Sequence, residues 1–352
     1  MKVLHLLATG NNGGIERLVY DFSRFSSFDN IFVFAWQAGI LGDKLRKMNK
    51  KVYDINGHKI GNLNTIFTIN SIIKKEKVDV IIVHHASALL RFISIFQERK
   101  KVIVYQHNDP QINFTDNSLK TLVVRTISKY ALKHASKVIA ISNFVKDGLI
   151  KFYKIENSKI FVVYNGTDIN DFYFKQHEFD GTLHFVTVSR LTQEKGVQNA
   201  ITLLSKLPNY IPWDYTIIGE GDYMENLKEL VADCNFNNIN FLGDRNDISE
   251  LLDQMDIFLH LADCNEGFGI TVIEAMAKGK VCVVNDKGAM RELIDNRYNG
   301  FLINNIQEGV FAVESVFKNP ALKNILEVNS RNSSLKFSVM NFVTNLEKTI
   351  LS

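Results

Sequence analysis

Glu266 and Glu274 bracket the stretch EGFGITVIE, whose intervening residues are uncharged and include glycines at 267 and 269. Glycine lets the backbone approach a ligand closely. A helix starting near Thr271 would turn its free amides toward an anion. A sugar diphosphate needs donors for its phosphates and acceptors for the hydroxyls of its ribose and its sugar. The amides suit the first need, and the two carboxylates suit the others. Glu274 sits within TVIEAMA, an apolar helical segment, where a carboxylate calls for a partner. Upstream, SRLTQEKG puts Arg190 and Lys195 in one loop entering a helix. Two cations beside helix amides suit a diphosphate, although alone they would read as solvated surface charges.

These residues need a frame that brings loops together. Apolar runs alternate with helical patterns from KVLHLL through IERLVYDFSRF, NIFVFAW, VDVIIVH, KVIVYQH and KVIAIS. The alternation restarts near residue 183 with LHFVTVSRL, DYTIIGEG, INFLGD, DIFLHLA and KVCVVND. Such alternation predicts α/β architecture: two doubly wound, Rossmann-like domains with mainly parallel sheets. Ligands of such sheets bind beyond the carboxyl ends of the strands. Asn11 to Gly14, His84 and His85, His107, Ser189 and Arg190, and Glu266 all follow strands. Asn165, Gly166, Thr167 and Asp168 are turn formers at the join. The expected divisions are 1–168, 169–335 and a last helix over 336–352, after a break around NSSL. The glycine-rich turn GNNGGIERL lacks the G-x-G-x-x-G spacing, and GEGDYM has Met224 where a third glycine would stand.

The chain of 352 residues is 46% hydrophobic and 22% charged, which fits folded domains and excludes a disordered chain. No apolar run spans a bilayer, and MKVLHLLATG lacks the pattern of a secretory signal. Three cysteines without metal-type spacing argue against disulfides or a zinc site. A cytoplasmic location is expected. The net charge of +3 hides an asymmetry: residues 1–165 carry 25 basic against 12 acidic side chains, a net +13, and residues 166–352 carry 16 against 26, a net −10.

With these motifs in place the chain resembles glycosyltransferase family 4, whose fold is GT-B. VSRLTQEKG, IIGEGDYMENL, INFLGDRNDISELL, EGFGITVIEAMAKGK and RELIDNRYNGFLI carry the likeness in the second half; GNNGGIER, VYQHND, VIAISNFVKDGL and VYNGTDINDF carry it in the first. The resemblance implies two domains facing a central cleft, the first on the acceptor side and the second binding the donor. It implies a retaining transfer of a sugar from a nucleotide-sugar donor, UDP-linked by preference, in cell-surface polysaccharide or glycoconjugate synthesis. Arg190 and Lys195 are implied to hold the diphosphate, Glu274 the ribose and Glu266 the transferred sugar. Gly269, Ile270 and Thr271 are implied to contact phosphate and sugar through amides, and Gly13 and Gly14 to close the donor site. His107 matches a histidine near the reacting centre, the base is expected near Arg245 to Ile248, and the last helix is expected to cross back to the first domain. No Asp-x-Asp occurs, in agreement with catalysis without a metal; no cofactor is expected.

The acceptor is expected to be a glycan or a lipid-linked sugar, and no nucleic-acid partner is expected. In SLKTLVVRTISKYALKHASK, Arg125, Lys129 and Lys133 recur at about one turn, opposite Leu122, Val123 and Ile127. A basic helix of this kind can dock on anionic lipid, although its apolar side is expected to pack on its own sheet. Peripheral attachment to the inner membrane face is therefore one expectation. A nucleotide-sugar epimerase of the same fold and a catalytically silent partner subunit remain as alternatives.

Overall fold

The computed structural model describes residues 1–11, 13–55, 63–84, 101–114, 118–169, 171–174 and 179–352. Asn12 and His85 lie outside them. Two compact units emerge: residues 1–166 with 339–352, and residues 167–338.

The first unit is built on seven described strands: β1 (Lys2–Thr9), β2 (Asp29–Gln37), β3 (Lys51–Asp54), β4 (Val80–Val83), β5 (Lys101–Gln106), β6 (Lys137–Ala140) and β7 (Ile160–Val162). Their order is β3-β2-β1-β4-β5-β6-β7, all parallel. A parallel sheet covered on both faces needs apolar residues on both, so VLHLLA and IFVFA read as continuous apolar runs rather than alternating ones. The helix Gly14–Phe25 buries Leu18, Val19 and Phe22 along one stripe. Against it lies the helix Val339–Leu351, with the Phe22 and Phe342 rings 6.1 Å apart. Glu347 accepts hydrogen bonds from Ser26 Oγ at 2.8 Å and Ser27 N at 2.7 Å.

The helix Leu119–His134 differs from expectation. Ser128, Ala131 and Leu132 are its buried residues, whereas Leu119, Leu122 and Val123 are exposed. The reason is angular. Residues 128, 131, 132 and 135 share one stripe, and 119, 122, 123 and 130 share another. The stripe of Ser128, Ala131, Leu132 and Ala135 is the one turned inward, so Leu122 and Val123 do not pack on the sheet. The Arg125 guanidinium lies 4.3 Å from the centre of the Phe114 ring.

The second unit holds β8 (Leu183–Val188), β9 (Trp213–Ile218), β10 (Ile239–Phe241), β11 (Ile257–His260), β12 (Val281–Asn285) and β13 (Gly300–Ile303). Their order is β10-β9-β8-β11-β12-β13, again all parallel. The break expected around Asn332–Leu335 falls later. The helix Pro320–Ser334 runs on into a short 3-10 turn, Leu335–Phe337, and Ser338 is the extended residue before the last helix. Serine hydroxyls near the helix end bond to carbonyls, Ser330 Oγ to Lys280 O at 2.9 Å and Ser334 Oγ to Arg331 O at 2.7 Å. Packing thus outweighs weak helix propensity there.

Each sheet reverses its winding once, between β1 and β4 in the first unit and between β8 and β11 in the second. Loops diverge at such points and leave a crevice at the carboxyl edge.

His5, in the middle of β1, is fully buried, and burial lowers its pKa from the ordinary 6.5 to about 4. The unfolded chain therefore binds a proton that the folded one refuses between those values. His5 contributes stability that is full above pH 6.5 and is lost as pH falls toward 4. Thermal unfolding of the wild type should lose a few kcal/mol over that interval. The His5→Phe variant should show a flatter profile, and equal slopes in both proteins would remove His5 as the cause.

Candidate active site

The crevice of the second unit is bounded by the segments leaving β8 and β11. Ser189 and Arg190 follow β8, and a 3-10 turn, Gln193–Lys195, leads into the helix Val197–Leu204. Gly196 between them has φ of +70°. A Cβ there would stand 1.9 Å from Leu261 O, so the turn presses directly on the segment after β11. The contact is hydrogen-bonded as well: Asp263 N donates to Glu194 O at 2.9 Å, and Asn199 Nδ2 to Leu261 O at 3.0 Å.

This docking brings the ends of the two loops together. Lys195 Nζ donates to Glu266 Oε1, and the two side chains are only 16% and 18% exposed. His260, the last residue of β11, is buried, with Nε2 3.6 Å from the same carboxylate oxygen. Burial raises the Glu266 carboxyl, but the nearby His260, Lys195 and Arg190 outweigh it and hold it below the usual carboxylate range. Burial also drives the His260 imidazole toward its neutral form. The His260 Nε2 has no hydrogen-bond partner among the described residues, which favours the neutral ring and makes Lys195 the main compensating charge.

The Glu266 backbone is fixed from a third direction. Ala289 N donates to Glu266 O at 2.9 Å. Gly288, with φ of +61°, lies so close that a Cβ would stand 2.3 Å from the same oxygen. The chain then enters the helix Ile270–Ala277, with Gly269 as its N-cap. Ile270 and Thr271 are half-buried in the first turn, and Glu274 is buried in the helix body. Free amides of the first turn and a carboxylate one turn on are thus held on one short element. Arg190 is exposed, and its guanidinium makes no ion pair among the described residues.

Arg190, Lys195, Glu266, Gly269, Ile270, Thr271 and Glu274 thus all lie on the elements leaving β8 and β11. Arg245 and Ile248 come from the far side of the sheet, beyond the edge strand β10. Arg245 is exposed and bonded to Asp247, its Nε donating to Oδ1 at 2.8 Å, and Ile248 begins the helix Ile248–Asp253. Gly13, Gly14 and His107 belong to the first unit. Gly13 is the N-cap of Gly14–Phe25, and half-buried His107 follows β5.

Three residues of the crevice escaped the sequence reading. His260 looks like one more residue of a buried strand, and nothing local marks it. Gly196 and Gly288 carry a weak signal, a glycine in a strand-to-helix turn, which does not say what backbone it must approach.

Comparisons with known proteins bear on the family and the fold. The model of glycosyl transferases group 1 matches residues 168–333, and that of Glycosyltransferase Family 4 matches residues 12–171. The chain is 27% identical over 293 residues to the UDP-Gal:alpha-D-GlcNAc-diphosphoundecaprenol alpha-1,3-galactosyltransferase of Escherichia coli, covering 78% of this chain and 75% of that one. It is 26% identical to the N,N'-diacetylbacillosaminyl-diphospho-undecaprenol alpha-1,3-N-acetylgalactosaminyltransferase of Campylobacter jejuni, over 82% of this chain and 72% of that one. Anabaena HepE in complex with UDP shares its fold, with a TM-score of 0.86, 20% identity and 99% of each chain covered.

Gly288→Ala must either strain a left-handed backbone or push Glu266 away. Calorimetric unfolding should show a loss of about 1–3 kcal/mol. Unchanged stability would mean that the Gly288 turn does not brace Glu266.

Proposed function

The chain belongs to the glycosyltransferases of family 4, whose GT-B fold it shares, and from that premise we propose a retaining transfer of a sugar from a nucleotide-sugar donor, UDP-linked by preference, to a glycan or lipid-linked acceptor. The observation that carries this reading is the Lys195–Glu266 pair at the reversal of the second sheet. A diphosphate outbids a single carboxylate for a lysine, since it offers more charge and more acceptor atoms. On donor binding Lys195 turns to the diphosphate together with Arg190, and Glu266 is released to accept hydrogen bonds from the sugar hydroxyls. Glu274 takes the ribose, and the amides of Gly269, Ile270 and Thr271 take phosphate. The base lies toward Arg245 and Ile248. Residues 169–335 thus form the donor domain and residues 1–168 the acceptor side.

Bond cleavage leaves negative charge on the departing diphosphate. Two cations and a helix N-terminus oppose that charge in place of a metal ion. In a retaining path the acceptor oxygen bonds to the anomeric carbon on the face that the diphosphate leaves. The acceptor proton passes to the departing phosphate oxygen. Glu266 positions the sugar and favours its oxocarbenium character.

The acceptors named for these two relatives are carried on diphosphoundecaprenol, which supports a lipid-linked acceptor here and a role in bacterial cell-surface glycan synthesis. No described helix is long and apolar enough to cross a membrane. The helix Leu119–His134 instead offers exposed Leu119, Leu122 and Val123 beside Lys120, Lys129 and Lys133, with no acidic residue along its length. This surface suits peripheral attachment to an anionic leaflet on the cytoplasmic side, and it is consistent with the +13 charge of residues 1–165.

Titration calorimetry with UDP should show Arg190→Ala weakened by about 1.5–3 kcal/mol. Glu266→Gln should keep UDP affinity while transfer falls more than about tenfold, and EDTA should leave wild-type transfer intact. An unchanged Arg190→Ala affinity, a fully active Glu266→Gln enzyme, or activity lost to EDTA and restored by magnesium would each sink its part of the reading. Epimerisation of the donor without any acceptor would replace it.

Sedimentation with phosphatidylglycerol vesicles tests the membrane surface separately. Wild type should pellet at low salt and be released at high salt. Leu122→Ser with Lys129→Glu should stay in the supernatant. Indifference of wild type to these vesicles would favour a soluble acceptor.

A further inference from the structure

His260 ends β11, shortly before Glu266 in the chain. It is 4% exposed and sits between Leu259 and Leu261, which are as deeply buried. Its Nε2 has no hydrogen-bond partner among the described residues, and it stands 3.6 Å from Glu266 Oε1, too far for such a bond. A buried ring nitrogen left unpartnered costs free energy. A residue needed only for packing would be apolar at this place, as its two neighbours are.

Burial is the largest influence on the ring and favours its neutral form; Glu266 opposes burial, and Lys195 adds to it. The elements packed around β11 bring little other charge. Val284 of β12 pairs with His260, and the titratable residue of that strand, Cys282, is a buried thiol pushed up in pKa and therefore neutral. The titratable residue of β8 is His184, held by Asp214 at 2.7 Å at the amino edge. The helix Val197–Leu204 carries none, and the helix Ile270–Ala277 carries Glu274. In the loop after β8, Arg190 and Glu194 are exposed. In the segment after β11, Asp263 has Lys287 Nζ 3.6 Å away, and burial pushes the Cys264 thiol up. The charge on His260 therefore turns on Lys195 and Glu266.

With Lys195 as a ligand of the diphosphate, donor binding changes that balance. The lysine turns to the phosphates, whose charge offsets its own, and it no longer opposes a proton on His260. Glu266, largely withdrawn from water, loses its cation at the same moment. Arg190 is engaged by the same diphosphate. A carboxylate so placed is costly without a counter-charge. Imidazole is the side chain that gains or loses a proton near neutral pH. Both nitrogens of an imidazolium carry a hydrogen, so Nε2 then faces Glu266 as a donor, whichever tautomer the neutral ring held.

We propose that His260 is a positioning residue for Glu266: when the donor diphosphate takes Lys195, His260 takes up a proton from water and replaces the lysine as the partner of the carboxylate. The proposal rests on the reading of Lys195 as a ligand of the diphosphate. Glu266 thereby stays ionised and fixed in place while it accepts from the sugar hydroxyls. Departure of the nucleotide returns Lys195 to Glu266, and the proton goes back to water. The nitrogen left unpartnered in the free protein is the donor used in the bound one.

Two coupled groups share a proton, so a bulk titration does not say which one holds it. Nitrogen NMR of protein labelled with 15N-histidine does, because a neutral ring has one bare nitrogen and an imidazolium has none. The His260 signals are assigned by their loss in His260→Gln. In the free wild type the ring should titrate below the ordinary 6.5. UDP, at a concentration shown by calorimetry to saturate the protein, should raise that midpoint by about one unit or more. Lys195→Met removes the lysine without any ligand and should raise it likewise. Both rises should fall by about half or more when Glu266→Gln is added, since they come from the carboxylate. If UDP binds and the wild-type midpoint does not move, or if the rises persist undiminished in Glu266→Gln, the proposal is wrong and the donor reading stands. If UDP does not bind, the donor reading falls and takes the proposal with it; a raised midpoint in Lys195→Met would then show the change of partner alone. Should Lys195→Met not fold, the wild type with and without UDP still decides, and a free ring already charged at neutral pH would overturn the proposal.

Discussion

Lys195 and Glu266 face each other across the reversal of the second sheet, and much of the crevice is arranged around that contact. Both side chains are largely withdrawn from water, so each would carry a desolvation cost without the other. Lys195 is on the β8 side and Glu266 on the β11 side, and Gly196 allows the two backbones to meet. Gly288 and Ala289 fix the Glu266 carbonyl from the segment after β12. The geometry leaves little freedom in where the carboxylate sits, and an ion pair so placed is available for exchange when a stronger anion arrives.

The legibility of this arrangement in the sequence varied with the kind of signal. The two sheets were readable because parallel strands buried on both faces leave long apolar runs, as in VLHLLA and VCVVN. Arg190, Lys195 and Glu266 were readable because charge stood in glycine-bearing strand-to-helix turns, and Glu274 because a carboxylate stood inside an apolar helical segment. His260 was not, because its role comes from a neighbour in space and its own surroundings are those of any buried strand. The helix Leu119–His134 misled for a related reason. Large apolar residues suggested the packing face, but the stripe of Ser128, Ala131 and Leu132 is the buried one, and residue size alone does not show which stripe the helix turns inward. His84 and His107 were visible just past strand ends, whereas His5, in the middle of an apolar strand, was not.

Elsewhere in the second unit the same rule of paired burial recurs without any sign of chemistry. Lys323 is almost fully buried between Asp256 at 2.9 Å and Glu327 at 2.6 Å. Burial opposes its charge, but the two carboxylates outweigh burial and raise its pKa. The Asp256 carboxylate also accepts from His184 N at 2.9 Å, ahead of the strand β11. This cluster ties the helix Pro320–Ser334 to the amino edge of the sheet, the edge away from the crevice. Removing one partner would leave an uncompensated charge, a change that costs about 3–5 kcal/mol. Its contribution is to hold that helix in place.

The helix Val339–Leu351 gives the molecule an order in time. Glu347 bonds to Ser26 across 321 residues of sequence, and Phe342 covers Phe22. During synthesis the second unit, a continuous segment, emerges whole before that helix appears. The first unit, though translated earlier, must wait with the outer face of Gly14–Phe25 uncovered. At about 5–20 residues per second, the interval is tens of seconds or less. Through that interval the ribosome carries a nascent chain whose later part can finish folding before its earlier part, and Phe22 is the residue that a chaperone would find open.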